Sequence, residues 1–489
     1  MNTGPLATLP ACAVAAPLPA RTGARRCAVL AAAVLALAAP LPGTATEAEA
    51  LPVMASVDAD ALSPEHWIAK LAEPDRPILD RAGIQAQNAR MRALDPSIHD
   101  LATLPDPLPR AWVRERIEAL SVLPANPLYD GHGTPLPPRS LRMLRRALAL
   151  EAIAPERPLH YGLVVRRADL RTFPTRASAF SSPRDTDIDR FQESALFPGD
   201  AVAVLHESRD GRWLFVASER YLAWIAAADV ALGGRDAVLG YARRTPYRVA
   251  TGAHVRTAIA PGEPRVSALP LEMGVRLPLR ADWPPEQPVH GQLPVAAHVV
   301  ELPVRDAEGR LQAMPALVPR AADMAGDYLP LTPAHLIGQA FKFLGERYGW
   351  GHAHGTRDCS GFVSEVYRSF GVLLPRNTGD QAASPALDRI AFAPRDGHAA
   401  RMAAVRALRP GDLVYIPGHV LMAIGRQDGM TYVIHDIHGG RWRAADGTVA
   451  EGRLNGVVVT PLEPMLAGDG RPYVDHMVAI QRIRPAAAP

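Results

Sequence analysis

The 489-residue sequence contains only three cysteines, and two of these, Cys12 and Cys27, lie in its first 45 residues. Cys359 is the only cysteine in the remainder of the chain. A single thiol excludes an intramolecular disulfide in that remainder, and it supplies at most one ligand to a metal ion. Cys359 is therefore either a thiol packed in a core or a nucleophile, and its sequence context has to distinguish the two.

The chain also lacks an excess of charge, since 53 Lys and Arg residues stand against 50 Asp and Glu residues and the formal net charge is +3. Such a balance gives no electrostatic basis for binding nucleic acid or for strong attraction to a membrane surface. Hydrophobic residues make up 48% of the chain, which is typical of globular domains with buried cores. We expect no nucleic-acid partner, no cofactor and no metal site.

Long hydrophobic runs are scarce. The apolar run "CAVLAAAVLALAAPL" is shorter than the roughly 20 residues that span a bilayer. It follows Arg21, Arg25 and Arg26 and precedes the small residues 43–45. This order is typical of an export signal, and a membrane anchor is the alternative. We predict a signal peptide over residues 1–45, export to the periplasm or cell envelope, and no stable membrane span after its removal.

Further along the chain, the residue patterns predict three kinds of structure. Amphipathic runs such as "SPEHWIAKLAEPDRPILDRAGIQAQNARMRAL" and "PRAWVRERIEALSVL", separated by proline-rich joins, predict helices. Short β-type runs with turn signals, such as the Asp-Gly of "HESRDGRW" and the turn "RDAEGR", then predict two small all-β barrels. Finally, Thr332 and Pro333 begin a helix that is followed by the cysteine segment and five strand candidates, which predicts an α+β domain with an antiparallel sheet.

The cysteine lies in the stretch "RDCSGFVSEVYRSFG". Apolar residues from Phe362 to Phe370 recur at helical spacing, so Cys359 opens a helix and Asp358 is its expected cap. The N-terminus of a helix and a nearby imidazolium both lower the pKa of a thiol. The placement therefore favours a reactive Cys359 over a merely packed one.

Two histidines are candidates for the partner of the thiol. His419 begins the strand "HVLMAIG" and His435 ends the strand "TYVIH", with the turn "RQDGM" between them. A hairpin of these strands would make the two histidines cross-strand neighbours, so that one could act as a base and the other orient it. A lone histidine at a strand end is usually just a solvated residue. Asp436 should point to the face opposite His435.

Together these segments resemble a known family. "YGWG…RDCSGFVSEVYRSFG…LPRNTGDQ", "RPGDLVYIPGHVLMAIG" and "YVIHD" resemble the NlpC/P60 cysteine peptidases of bacterial cell walls. Upstream, "GLVVRRADLRTFPT…FQESALFPGD" and "MGVRLPL…ELPVRDAEGRL" resemble the two bacterial SH3 domains of one subgroup, which also has a helical N-terminal segment. The implied fold class is multidomain, with a helical N-terminal segment, two small all-β SH3-like barrels and a C-terminal α+β papain-like domain.

The domain boundaries follow from these changes of pattern. We predict the signal peptide at 1–45, the helical N-terminal segment at 46–158, the first SH3-like domain at 159–245, the second SH3-like domain at 246–328 and the NlpC/P60 catalytic domain at 329–485.

The resemblance implies an exported cysteine endopeptidase that hydrolyses peptidoglycan stem peptides after D-γ-glutamate, at the bond to the diamino acid, with a preference for a free N-terminal L-Ala. Stem peptides or muropeptides are the implied partners, and the oligomeric state stays open. One alternative is a catalytically silent cell-wall-binding protein, against which the complete set of Cys359, His419 and His435 argues. Another is an amidase or acyltransferase on the same core.

The resemblance also implies roles for individual residues. Cys359 would be the nucleophile, His419 the general base, and His435 the residue that orients His419. Tyr348 would stabilise the oxyanion together with the backbone N–H of Cys359. The implied substrate-binding residues are Asp358, Ser360, Asn377, Thr378, Trp350 and, from the first SH3-like domain, Glu193 and Tyr221.

Two further expectations concern the cleft. Asp358 and Glu193 would converge on the free ammonium group of the L-Ala end. Packing is the alternative role for the aromatic residues Tyr348 and Trp350. One departure from the family pattern is visible, because relatives commonly read "YGWGG" and His352 replaces the second glycine here.

Overall fold

The computed structural model describes residues 57–484, so the predicted signal peptide lies outside the described residues. None of the described helices is both long enough and apolar enough to cross a membrane. The N-terminal part contains the helices Pro64–Ile68, Arg81–Leu94, Arg110–Leu120 and Pro138–Ala147, and a pair of two-residue strands, Leu108–Pro109 and Glu156–Arg157.

The first amphipathic run is not one continuous helix. It is interrupted over residues 69–80, which include Pro74 and Pro77. A proline has no N–H to donate within a helix, and the residue before it is pushed towards an extended conformation. The chain becomes helical again where the Asp80 side chain accepts a hydrogen bond from the Gly83 N–H at 2.7 Å.

The N-terminal helices pack into two different cores. Trp67 and Met91 are buried in the core that also contains Cys359, whereas Val113 and Ile117 are buried against the following β-sheet. Trp67 is 1% exposed, and its ring centroid lies 4.9 Å from that of Tyr432 near the C-terminal end of the chain. The segment is therefore shared between its neighbours rather than folded around a core of its own.

The first β-unit is one antiparallel sheet of seven strands. In spatial order the strands are Gln192–Leu196, Ala168–Arg171, Leu222–Ala226, Trp213–Ala217, Ala201–Glu207, His160–Val164 and Val230–Gly233. The Asp-Gly turn joins two of these paired strands, which confirms the predicted hairpin. The helix Arg235–Tyr241 then leads into the second β-unit.

The second β-unit consists of three small antiparallel sheets. They contain the strands Arg276–Pro278, Tyr247–Ala250 and Met324–Ala325, the pair Val255–Arg256 and Pro270–Leu271, and the pair Ala297–Arg305 and Leu311–Pro319. The last pair is the hairpin predicted from the turn "RDAEGR".

The C-terminal domain has a six-stranded antiparallel sheet. In spatial order its strands are Asp388–Ala391, Ala479–Arg482, Leu413–Ile416, His419–Gln427, Met430–Ile437 and Gly456–Pro461. A second sheet contains Val449–Gly452, Gly440–Arg443 and Met465–Leu466. The helices are Pro333–Phe341, Cys359–Arg368, Thr378–Ala383, His398–Arg406 and Tyr473–His476. The predicted strands are present, while the edge strand Asp388–Ala391 and the second sheet were not predicted.

The helix Cys359–Arg368 packs on the six-stranded sheet. Its apolar residues Phe362 and Val366 are fully buried in one core with Val420 and Met422 of the strand that His419 begins. This packing sets the first residue of the helix beside the start of that strand. The expected multidomain fold class, with all-β units ahead of an α+β domain, is confirmed.

Candidate active site

Cys359 is the first residue of its helix, and Asp358 is the cap, as predicted. The Asp358 carboxylate accepts a hydrogen bond from the Gly361 N–H at 2.8 Å. The Cys359 side chain is 5% exposed. Its Sγ lies 3.6 Å from the Thr378 hydroxyl and 4.0 Å from the Gly418 carbonyl oxygen, directly before His419.

The expectation of a lowered thiol pKa is wrong for the substrate-free protein. Burial raises the pKa of Cys359 to about 12, and the neighbouring Asp358 carboxylate adds to the increase, while the Thr378 hydroxyl opposes it. No imidazolium compensates, because burial lowers the pKa of His419 to about 4. Burial therefore favours a neutral Cys359 thiol and a neutral His419 imidazole in the substrate-free protein.

The two histidines are in contact, as predicted from the hairpin. His419 Nε2 and His435 Nδ1 are 2.7 Å apart. Strand pairing aligns Met422 with Ile434, so the two histidines form a diagonal rather than a directly opposed pair. His435 is fully buried, and its Nε2 lies 3.0 Å from the Thr460 hydroxyl.

These contacts define the proton positions that suit a base. If His419 is to accept a proton from the thiol, it must do so at Nδ1, because Nε2 is occupied by His435. The Nε2–H of His419 then donates to His435, and the Nε2–H of His435 donates to Thr460. Sequence reasoning missed Thr460, since a threonine within a strand such as "GVVVTPL" carries no distinguishing signal.

Asp436 and His435 point to opposite faces of the sheet, as expected. Ile434 belongs to the core that contains Cys359, so alternation places Asp436 on the Cys359 side. Asp436 is fully buried, and neither of its carboxylate oxygens has a hydrogen-bond partner among the described residues. Burial, together with the nearby Asp358 and Glu346 carboxylates, raises the pKa of Asp436 well above its usual range.

Tyr348 and Trp350 lie on the loop ahead of the nucleophile. Burial, followed by the proximity of Cys359, raises the pKa of Tyr348, so its phenol is a proton donor at neutral pH. Trp350 instead donates from Nε1 to the Gln192 carbonyl oxygen at 3.0 Å. Trp350 thus joins the catalytic domain to the first β-unit, which accords with the packing role considered for it.

Asp358 is not the free carboxylate that sequence reasoning assumed. Both of its oxygens accept hydrogen bonds from the buried Arg376 guanidinium, at 3.1 and 2.8 Å. Its second oxygen also accepts from the Gly351 N–H at 3.0 Å. Burial opposes ionisation of Asp358, but Arg376 prevails and leaves the pKa of that carboxyl below its usual range. The expected convergence of two uncompensated acids on an ammonium group is therefore wrong for Asp358.

The other candidates from the catalytic domain are divided between buried and exposed positions. Ser360 is buried and accepts a hydrogen bond from Arg376 at 2.9 Å. Thr378 contacts the thiol as described, and Asn377 is exposed and donates to Asp380 at 3.0 Å. Arg376 itself was omitted from the predicted site, although its position in "LPRNT" beside two chosen residues was a usable signal.

Glu193 and Tyr221 come from the first β-unit and are in contact with each other. The Tyr221 hydroxyl donates to Glu193 at 2.5 Å, and the Thr172 hydroxyl donates to the other carboxylate oxygen. No ion pair neutralises Glu193 among the described residues. The next residue, Ser194, accepts a hydrogen bond from Arg376 at 2.7 Å, which places this strand against the Asp358 site.

One group of side chains outside this site has the spacing of metal ligands, namely Asp185, Asp187 and His438. Arg347 pairs with Asp187 at 2.6 Å, and Arg453 pairs with Asp185 at 3.2 Å. Guanidinium groups therefore already compensate these carboxylates. The His438 ring also packs edge-on against Tyr348, with ring centroids 5.9 Å apart.

Comparison with known families identifies two domains. The model of the NlpC/P60 family matches residues 345–446, a range that contains Cys359, His419 and His435. The chain carries an NlpC/P60 domain. Ahead of it, the model of the SH3 domain of SH3b1 type matches residues 178–226, which contain Glu193 and Tyr221. The resemblance expected from the sequence motifs is confirmed.

Curated relatives match part of the chain. The chain is 34% identical over 120 residues to the probable endopeptidase p60 of Listeria welshimeri, a match that covers 22% of this chain and 20% of that protein. It is 32% identical over 120 residues to the protein of the same name from Listeria monocytogenes, covering 22% and 21% respectively. The chain thus matches about a fifth of the length of these relatives.

A solved structure extends the likeness in fold beyond the NlpC/P60 domain. An NlpC/P60 endopeptidase from Photobacterium damselae subsp. piscicida is similar over 86% of this chain and 97% of its own, with a TM-score of 0.68 and 16% sequence identity. The arrangement of the described domains is therefore shared with an NlpC/P60 protein at the level of the fold.

Proposed function

We propose that this protein is an exported cysteine endopeptidase that cleaves peptidoglycan stem peptides after D-γ-glutamate. The observation that carries the proposal is a thiol at a helix N-terminus that approaches the Gly418 carbonyl oxygen, directly before His419, which is in turn in hydrogen-bond contact with His435, as His435 is with Thr460. The match to the NlpC/P60 family supports the reaction class. The bond specificity is inferred from the family resemblance and the cleft.

The first chemical step is attack by Cys359 on the carbonyl carbon. The thiol proton moves to Nδ1 of His419 as Sγ forms a bond to the carbonyl carbon of D-γ-glutamate. Because burial disfavours a standing thiolate and imidazolium in the substrate-free protein, the proposal places proton transfer together with attack. The backbone N–H of Cys359 and the Tyr348 hydroxyl stabilise the oxyanion that forms.

The second step releases the amine. The His419 imidazolium gives its proton to the nitrogen of the diamino acid, the C–N bond breaks, and a thioester to Cys359 remains. Water then gives a proton to His419 and its oxygen to the carbonyl carbon, and the thiol leaves with that proton. His435 and Thr460 keep His419 in the orientation that both steps require.

The cleft supports a preference for a peptide with a free L-Ala amine. Glu193 is held by two hydroxyl groups and has no cation, so it suits an ammonium group. An N-acylated L-Ala, as in a peptide still attached to the glycan, brings no positive charge. Glu193 alone carries this selectivity, because Arg376 already neutralises Asp358.

The test is incubation of the purified protein with L-Ala-γ-D-Glu-diamino acid peptides, free or attached to muramic acid, with mass spectrometric analysis of products. The proposal expects cleavage after γ-D-Glu and faster turnover of the free peptide. Binding to cell walls without cleavage of either substrate would favour a silent wall-binding protein. Cleavage between muramic acid and L-Ala would instead indicate an amidase.

A further inference from the structure

His352 occupies a backbone position that glycine normally takes. Its φ and ψ are 65° and 21°, in the left-handed region that side chains with a Cβ avoid. His354, two residues later, has nearly the same conformation, with φ 60° and ψ 14°. The two histidines differ in their surroundings, because His352 is 2% exposed whereas His354 is exposed. A strained residue that is also buried points to a function for its side chain.

The hydrogen bonds of His352 fix its tautomer. Arg376 Nη2 lies 3.0 Å from His352 Nδ1, and a guanidinium can only donate, so Nδ1 is the acceptor. The proton is then on Nε2, which donates to Glu365 at 2.8 Å. Burial and the Arg376 charge hold the pKa of His352 well below its usual range, which agrees with a neutral ring.

His352 completes the bonding of Arg376. The guanidinium has five N–H groups. Nε–H donates to Ser194 at 2.7 Å, Nη1 donates to Asp358 at 3.1 Å and to Ser360 at 2.9 Å, and Nη2 donates to Asp358 at 2.8 Å. The fifth N–H goes to His352. With glycine at 352, that donor would lose its partner inside a buried site.

The His352 ring also lies at the junction between domains. A Cβ on Gly361, in the first turn of the Cys359 helix, would be 2.6 Å from Cε1 of His352, so the ring packs directly on that helix. On its other side it packs against Phe197 of the first β-unit, with ring centroids 5.8 Å apart. Arg167 of the same unit donates to the His352 carbonyl oxygen at 2.9 Å.

We propose that His352 is a positioning residue that sets the charge pattern of the cleft. By accepting the last N–H of Arg376, it keeps that guanidinium directed at Asp358, so that neither group offers a free charge to a bound peptide. Glu193 is then the one carboxylate that selects the ammonium end. This inference rests on the proposed function. Without His352, the freed N–H of Arg376 attracts carboxylates and opposes an ammonium group.

The test compares three variants of the full chain. His352→Gly removes the acceptor and relieves the backbone. His354→Gly relieves a matching backbone position without touching the cleft. His352→Asn keeps an acceptor, because its side-chain oxygen can take the place of Nδ1, and asparagine tolerates the left-handed region. The measurements are kcat and KM on the free and the N-acylated stem peptide, and the free energy of unfolding.

We expect H352G to lower the preference for the free amine about tenfold, mainly through a higher KM for the free peptide. This is the order of effect expected from one buried donor that loses its hydrogen-bond partner. H354G should keep the wild-type preference, and H352N should recover most of it. A wild-type preference in H352G would overturn the proposal. A loss in H352N equal to that in H352G would also overturn it, because packing rather than the acceptor would then be responsible.

A second readout does not depend on the substrate. Nitrogen NMR of the histidine rings should show Nδ1 of His352 unprotonated at neutral pH, and slowly exchanging Arg376 N–H signals that H352G loses. A protonated Nδ1 would overturn the positioning role whatever the enzyme cleaves. A wild-type protein that cleaves no stem peptide, yet shows this NMR pattern, would contradict the proposed function and leave the arrangement of Arg376 established.

Discussion

Two carboxylates flank the candidate cleft from different domains, and they differ in what compensates their charge. Asp358, at the start of the Cys359 helix, is buried and bound by both arms of Arg376. Glu193, on an edge strand of the first β-unit, is held by the hydroxyl groups of Tyr221 and Thr172. Asp358, the acid nearer the thiol, therefore stabilises the fold through its ion pair. Glu193, the acid from the neighbouring domain, has no such partner in the part of the chain that the structure describes and is available to a ligand.

This difference indicates a division of work between the two regions. Under the proposed function, the C-terminal domain would provide the groups that form and break bonds, and Arg376 would keep the Asp358 carboxylate from opposing the developing oxyanion. The first β-unit would provide recognition through Glu193. Changes to the two regions should therefore separate turnover from selectivity, and the following predictions run from the largest expected effect to the smallest.

Replacing the nucleophile should abolish turnover without removing recognition. Cys359→Ala is expected to lower kcat on the order of 10⁶-fold, as when the nucleophile of a hydrolase is removed. Binding of the free L-Ala peptide, measured by calorimetry, should persist because Glu193 is untouched. Undiminished turnover in this variant would contradict the proposed chemistry, and loss of binding would contradict the division between the regions.

The two histidines should differ in the size of their effects. His419→Ala should reduce kcat nearly as far as the loss of Cys359, because it removes the proton-transfer group. His435→Ala should cost about a hundredfold less, as an orienting group does in other hydrolases. Steady-state kinetics on one peptide measures both. Equal losses, or the reverse order, would show that the two roles are exchanged.

Substitutions of the two carboxylates should move different quantities. Asp358→Asn leaves the buried Arg376 without its counter-charge and should lower the free energy of unfolding by about 3–5 kcal/mol. Glu193→Gln should leave stability nearly unchanged and reduce the preference for the free amine about tenfold to a hundredfold. Denaturant unfolding and kinetics on the free and N-acylated peptides give the two measurements. If D358N were as stable as the wild type and lost only its preference for the free amine, Asp358 rather than Glu193 would be the carboxylate that selects the substrate.

The thiol should react slowly in the absence of substrate. Because burial raises the pKa of Cys359 to about 12, alkylation by iodoacetamide at neutral pH should be slower than that of a free thiol with a pKa of about 8.5. The rate should rise with pH well beyond the point at which a free thiol levels off. Fast alkylation below neutral pH would instead reveal a standing thiolate–imidazolium pair.

The smallest effect should come from Asp436, whose pKa is raised by burial. When the pKa of a carboxyl is higher in the folded than in the unfolded state, its contribution to stability is fully present at pH values below the unfolded-state pKa. That contribution is lost as the pH rises towards the folded-state pKa. The Asp436→Asn variant cannot ionise at this position. Its free energy of unfolding should therefore increase relative to that of the wild type as the pH increases. Denaturant titrations at several pH values test this, and a constant difference would contradict it.

Much of the fold was accessible from local patterns. The strand pairs joined by Asp-Gly and by "RDAEGR", the helix opened by Cys359, and the hairpin that carries His419 and His435 are all present. Each depends on residues close together in the sequence. By contrast, the helical reading of residues 69–80 was wrong, because Pro74 and Pro77 outweigh the apolar spacing around them.

The parts of the site that escaped prediction depend on contacts between distant segments. Nothing local shows that Arg376 reaches Asp358 and Ser194 at once, because Ser194 is 182 positions away in the sequence. The pKa of Cys359 likewise depends on burial by several elements, and a helix N-terminus alone suggests the opposite direction. Residue type and order predicted the contact between His419 and His435, whereas the ion pair of Arg376 with Asp358 and the pKa of Cys359 depend on packing between distant segments.

The burial of Trp67 among the C-terminal strands has a consequence for how the protein matures. His66, beside it, lies 2.7 Å from Gln427, a partner that follows 361 positions later in the chain. A segment made early in synthesis therefore finds this partner only after a strand of the C-terminal domain has been made, and contacts of such long range slow folding. The sheet that carries His419 and His435 is completed later still, when the strand Ala479–Arg482 has been made. A site that needs His419 and His435 can form only after these late segments exist, so the proposed hydrolase would gain its activity only once most of the chain has been made.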